Sequence, residues 1–203
     1  RLAEIFGIII FSIGLLLLIS LLTYSPEDPN FIFPDNTEIK NIFGFQGSFV
    51  SDIFFQSIGL ISYFFAITLI ITGINIFRIK EFFLVIENIF FATLYIFLGT
   101  LFLAHFYSNS FTLYINGNGG FVGAYLGQTF LKSLLLLNEK IFYYLLIIVN
   151  IVLFLISINF HPIKFYDTIK NLLQIFDKDK NKNYTKKSEI ISEYIPQEEI
   201  KNL

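Results

Sequence analysis

Glu87 is the first residue to weigh for chemistry. With Asn88 it lies about one turn inside the third of four long apolar stretches. A carboxylate at membrane depth would relay protons or hold a cation. That work needs a second ionisable group, and no other carboxylate falls inside an apolar stretch. The plainer reading has Glu87 snorkelling to the near interface or pairing with Arg78 or Lys80. Asn75 and Asn150 read as interhelical hydrogen-bonding groups rather than as a substrate site. The two histidines, His105 and His161, sit at the ends of different stretches without a ligand cluster, and there is no Cys. The phosphate-loop pattern G-x-x-x-x-G-K-[ST] is absent throughout. The reading therefore assigns no catalytic, cofactor-binding or metal-ligating residue.

The elements that would position these groups are the apolar stretches themselves, roughly 5–24, 53–77, 82–106 and 141–160. Each reaches the length of about 20 residues that a helix needs to cross a bilayer. The hydrophobic fraction is 55% and the mean hydropathy +0.67. Four such helices in 203 residues leave too little chain to cover them in water. The expected fold is all-α, an integral membrane four-helix bundle, with a membrane domain over 1–162 and a tail over 163–203. A net charge of -2 does not mark a nucleic-acid binder. The absence of Met, even at the first position, reads as a fragment or processed form.

Lysine and arginine placement sets direction. Arg78 and Lys80 lie in the short connection 78–81, and Lys164, Lys170, Lys178 and Lys180 follow the last stretch. The loop 25–52 is acidic, and 108–120 holds no cation. Both termini are thus expected in the cytoplasm, with the other two loops outside. The segment 121–137 reads as a short outer helix, interfacial or re-entrant, with a fifth span as the alternative. Beyond Pro162, residues 164–176 have the spacing of an amphipathic helix. Residues 177–188 read as a linker, where Asp177 and Asp179 interleave with the lysines.

Small residues recur on the stretches: Gly7 and Gly14 on the first, and Gly59, Ser62, Ala66 and Gly73 on the second. They read as surfaces for close helix packing, within the bundle or between subunits, rather than as a pore lining. In 117–127, Gly119, Gly123 and Gly127 recur every four residues and would form one flat ridge. After the first stretch, Tyr24 belongs to the interfacial aromatic belt. Ser25 would cap a turn with Pro26 at its first position, Asp28 would complete an S-x-x-D box, and Pro29 would end it. Asp52 is placed to cap the second span.

The segment TYSPEDPN, directly after the first span, resembles the Y-S-P-x-D-P segment of the FtsK/SpoIIIE bacterial DNA translocases. Asn41, Gly44, Gly47 and Asp52 fall in register with the N-x-x-G-x-x-G-x-x-x-x-D pattern of that family, and GNGGFVGAYLG resembles its glycine-rich element. The resemblance covers the membrane domain. It implies a membrane anchor and oligomerisation module, a hexamer at the division septum of a bacterial inner membrane, working with other division proteins in cell division and chromosome segregation. DNA would be met only through a motor expected beyond Leu203. The competing readings are a small transporter or channel, and a standalone division-site scaffold.

Overall fold

A computed structural model describes residues 1–29, 38–108 and 116–162, the Phe130 side chain excepted. The expected amphipathic segment 164–176 and linker 177–188 lie outside the described residues. Residues Arg1–Asn159 form one compact unit, and Phe160–Leu203 a second.

Among the described residues the first unit has seven helices: α1 (Leu2–Leu22), α2 (Gly44–Ile58), α3 (Ser62–Ile79), α4 (Leu84–Phe106), α5 (Gly120–Leu126), α6 (Phe130–Leu137) and α7 (Glu139–Ser157). One 3-10 turn, Gly59–Ile61, joins α2 to α3. No strand occurs among the described residues. Among the described residues, four helical runs have the length and apolar composition to cross a membrane: α1, Gly44–Ile79, α4 and α7. The fold is an all-α four-helix membrane bundle.

The second run departs from expectation. Residues 44–52, read as loop, are helical. Gly47, Ser48, Ser51 and Asp52 are buried, so the polar stripe that suggests a loop is the inner face of a helix. The segment 121–137 is also broken, because α5 and α6 are seven and eight residues long and meet at 72°.

Glycine sets how closely α1 and α3 cross. A Cβ on Gly7 would lie 2.7 Å from the Phe77 amide nitrogen and 2.8 Å from the Gly73 carbonyl oxygen. The helices thus meet backbone to backbone, the contact that small residues permit where lipid gives no hydrophobic drive. Gly14 extends the contact to Ile70, and Ala66 is fully buried with Leu17, Leu21 and Phe55. Leu101, Leu135 and Leu146 close a further cluster among α4, α6 and α7.

Polar side chains inside the bundle bond to one another. Thr68 Oγ1 lies 3.0 Å from Tyr95 Oη and 3.4 Å from Ser157 Oγ, linking α3, α4 and α7. Asn88 Nδ2 donates to Thr72 Oγ1 at 2.9 Å, and Asn75 Nδ2 donates to the Ile158 carbonyl at 3.2 Å. Asn150 departs from its expected interhelical role: its Nδ2 donates to Leu146 O of its own helix at 2.8 Å. Its Oδ1 rests instead against Gly99 of α4, where a Cβ would stand 3.2 Å away. Glu87 is exposed and makes no ion pair among the described residues. Lys80, one of its expected partners, reaches Glu4 of α1 at 2.8 Å.

Candidate functional site

The residues of the TYSPEDPN and N-x-x-G-x-x-G-x-x-x-x-D patterns gather at the end of α1 opposite Lys80. The turn that starts them is short. The Asp28 amide donates to Ser25 O at 3.2 Å and the Glu27 amide to Ser25 Oγ at 3.4 Å. Pro26 takes the second position of this turn, where its fixed φ fits. No helix begins here, and the expected S-x-x-D box does not form. The Asp28 carboxylate turns away to accept the Lys40 amide at 2.8 Å and the Asn41 amide at 3.0 Å. Asp28 is 1% exposed. A carboxylate so buried needs such donors, and two amides from one stretch of backbone supply them.

Asn41 joins α1 to α2. Its Nδ2 donates to the Ser20 carbonyl at 2.9 Å, meeting one of the acceptors a helix leaves open at its C-terminus. Its Oδ1 accepts the Phe43 amide at 3.1 Å, and its carbonyl accepts the Gly44 amide at 2.9 Å. Gly44 has φ +63, a left-handed entry into α2. Gly47 must be glycine for another reason: a Cβ there would strike Asn41 Oδ1 and come 2.7 Å from Phe43 Cβ.

Asp52 does not cap a helix, since α2 begins eight residues earlier, at Gly44. It is buried mid-helix and its Oδ1 accepts the Tyr24 hydroxyl at 3.1 Å. The Tyr24 ring packs on Phe55 at 4.8 Å between centroids. Three partners escaped the sequence reading. Thr23 Oγ1 accepts the Ile42 amide at 3.4 Å, and Ser48 Oγ donates to Pro29 O at 3.5 Å. Ser51, fully buried, donates to Gly47 O at 2.8 Å. Gly47, Ser48, Ser51 and Asp52 share one helix face, a signal present in their spacing. At the rim, Lys40 pairs with Glu27. The hydrogen bond from Lys40, then its charge, holds the Glu27 carboxyl below its ordinary range, and the same pairing raises Lys40.

The glycine-rich element docks beside this clasp. Gly59, at φ +60, ends α2, and the Leu60 amide then donates to Asn118 O at 3.0 Å. Gly120, at φ +62, brings its Cα so close that a Cβ would lie 2.6 Å from the Gly59 nitrogen. Gly119 and Gly123 lie on α4, where a Cβ on either would meet the Thr100 carbonyl. The expected ridge stops there. Gly127 lies past the end of α5, and among the described residues a Cβ there would meet only Gly123 O, at 3.3 Å, and Ala124 O, at 3.6 Å, within its own turn. Gly59, read as part of a packing stripe, packs on the backbone of 118–120 and is also the break in the second run.

Chemically the cluster is a clasp. Its two buried carboxylates are occupied by backbone amides and a phenol, and its glycines admit close backbone contact. Among the described residues no three His, Asp or Glu side chains come together as a metal site. A family model described as the 4TM region of DNA translocase FtsK/SpoIIIE matches residues 1–170. No curated protein and no solved structure matches the chain. The matched region is the membrane part, without the ATPase motor, and these 203 residues hold no phosphate-loop pattern. The order of the clasp residues, their convergence at one end of the bundle and the match over 1–170 agree: the chain belongs to the FtsK/SpoIIIE DNA translocases, through their four-span membrane region.

Proposed function

We propose that this chain is the membrane anchor and oligomerisation module of a septal DNA translocase, acting in cell division and chromosome segregation. The match to the translocase membrane region over residues 1–170 carries the reading. Both termini and the α3–α4 connection face the cytoplasm, as the placement of Arg78, Lys80 and the later lysines favours. The bundle supplies a rigid base. Its polar groups at membrane depth, Thr68, Tyr95, Ser157, Thr72 and Asn88, bond among themselves, which supports packing over transport. Copies assemble as a hexamer and work with other division proteins, as the family resemblance implies.

A fluorescent fusion in dividing cells tests the location. Signal concentrated at the septum is expected, and an even membrane signal would count against the proposal. Reporter fusions at Asn116 and after Phe176 test the orientation, which requires the two sites to lie on opposite sides.

A further inference from the structure

The polarity of α2 is inverted relative to a helix in water. Its buried residues are Gly47, Ser48, Ser51, Asp52 and Phe55, four of them small or polar. Its outward side chains are apolar: Phe45 is 46% exposed, Val50 38% and Ile53 46%, with Ile42 just ahead at 69%. Phe49 stacks on Phe45 at 6.1 Å along the same side. Gln46 is the exposed polar residue among them.

Three contacts fix the depth of this face. At one end of the bundle Lys80 meets Glu4, which sets the start of α1 level with the end of α3. At the other, Asn41 holds Ser20 and Tyr24 holds Asp52, which sets the middle of α2 level with the end of α1. Between these levels α1 runs 21 residues, about 32 Å at 1.5 Å each, matching a hydrocarbon core of about 30 Å. The whole run Gly44–Ile79 has 36 residues, about 54 Å, far more than the core can hold. So α2 lies at the level where the hydrocarbon ends, and its outward face continues the lipid-covered surface of α3.

We infer that α2 is an interfacial foot, with Ile42, Phe45, Phe49, Val50 and Ile53 seated in lipid at the boundary between headgroups and acyl chains. Interfacial helices bury an apolar face in this layer, with the polar face turned away from the chains. Here the polar face turns onto α1 and its following loop, so the clasp sits under a lipid-anchored helix rather than in open water.

The chain contains no Trp, so one introduced Trp reports alone. Phe45→Trp and Ile53→Trp would be compared with Phe90→Trp on α4 and Glu38→Trp in the loop. The full chain is placed in phosphatidylcholine–phosphatidylglycerol vesicles whose acyl chains carry bromine, with helix content checked by circular dichroism. Both α2 reporters should show blue-shifted emission, bromolipid quenching comparable to Phe90→Trp, and several-fold less acrylamide quenching than Glu38→Trp. These values should persist as the protein is diluted with lipid. Acrylamide quenching equal to that of Glu38→Trp would overturn the inference. So would bromolipid quenching that appears only on dilution, because a second copy would then be the native cover.

Discussion

The hydroxyl of Tyr24 donates to the carboxylate of Asp52 at 3.1 Å across 28 residues, joining the exit of α1 to the middle of α2. Tyr24→Phe removes the donor and leaves a carboxylate that is 7% exposed without it. The expected loss is at least about 1–3 kcal/mol, the range for a buried acceptor deprived of its partner, which charge increases. Asp52→Asn keeps an acceptor oxygen and should lose less. Reversible unfolding in detergent micelles gives both values, and the opposite order would mean that the hydroxyl does not serve the carboxylate.

Asn41 and Gly47 form a second pair. Asn41→Ala leaves the Ser20 carbonyl without its donor, at about 1–3 kcal/mol. Gly47→Ala should also destabilise, because the new Cβ would strike Asn41 Oδ1. Removing the amide removes part of that clash, so the double variant should fall short of the sum by about 0.5 kcal/mol or more. Strict additivity in the cycle would show that Gly47 is needed for Phe43 alone.

The rim pair gives a pH dependence. Glu27 is lowered in the folded chain, so its contribution is present above the ordinary glutamate range and is lost as pH falls through the lowered value. Lys40 is raised, so its contribution is present below the ordinary lysine range and is lost as pH rises through the raised value. The pair therefore acts across the neutral window between them. In Lys40→Gln, the Glu27 carboxyl should return toward its ordinary range, read from its carbon resonance during titration. Salt should weaken the shift in the parent chain, since the pair is exposed.

The spans are legible because about 20 apolar residues in a row admit few other structures. The clasp is legible only as an ordered set of residues. Local capping rules place Ser25 with Asp28 and make Asp52 a cap, yet Asp28 finds its donors at Lys40 and Asn41. Local rules describe a chain that cannot reach across a fold, and these partners lie on returning backbone. The start of α2 was missed because a helix whose polar side faces inward shows the composition of a loop. The Thr68–Tyr95–Ser157 group was missed because single hydroxyls in apolar runs carry no period to read.

Two glycines of similar appearance should respond oppositely to a methyl group. At Gly73 a Cβ would stand 2.7 Å from both Gly7 O and Phe11 Cα, atoms of backbone that cannot step aside alone. Gly73→Ala must part α1 from α3, at about 1–3 kcal/mol. Gly127 has φ -65, and its nearest atom, Gly123 O, would lie 3.3 Å from the added carbon. Gly127→Ala should stay within about 0.5 kcal/mol of the parent chain. Unfolding midpoints of the two variants separate a packed glycine from one that ends a helix.

Gly59 holds φ +60 and ψ -143, a region that residues with a Cβ rarely enter, at about 1–3 kcal/mol when forced. Gly59→Ala would also drive its methyl group into the Asn118 carbonyl. The relaxed alternative for alanine is helical, which would carry α2 straight on from α3. That movement would part Leu60 from Asn118 and Asp52 from Tyr24 together, because both contacts depend on the angle set at residue 59. Amide hydrogen exchange should therefore accelerate at Leu60, in the turn 117–120, and at Lys40 and Asn41, while α4 keeps its protection. Faster exchange at Leu60 alone would show that the clasp holds α2 in place without the glycine break.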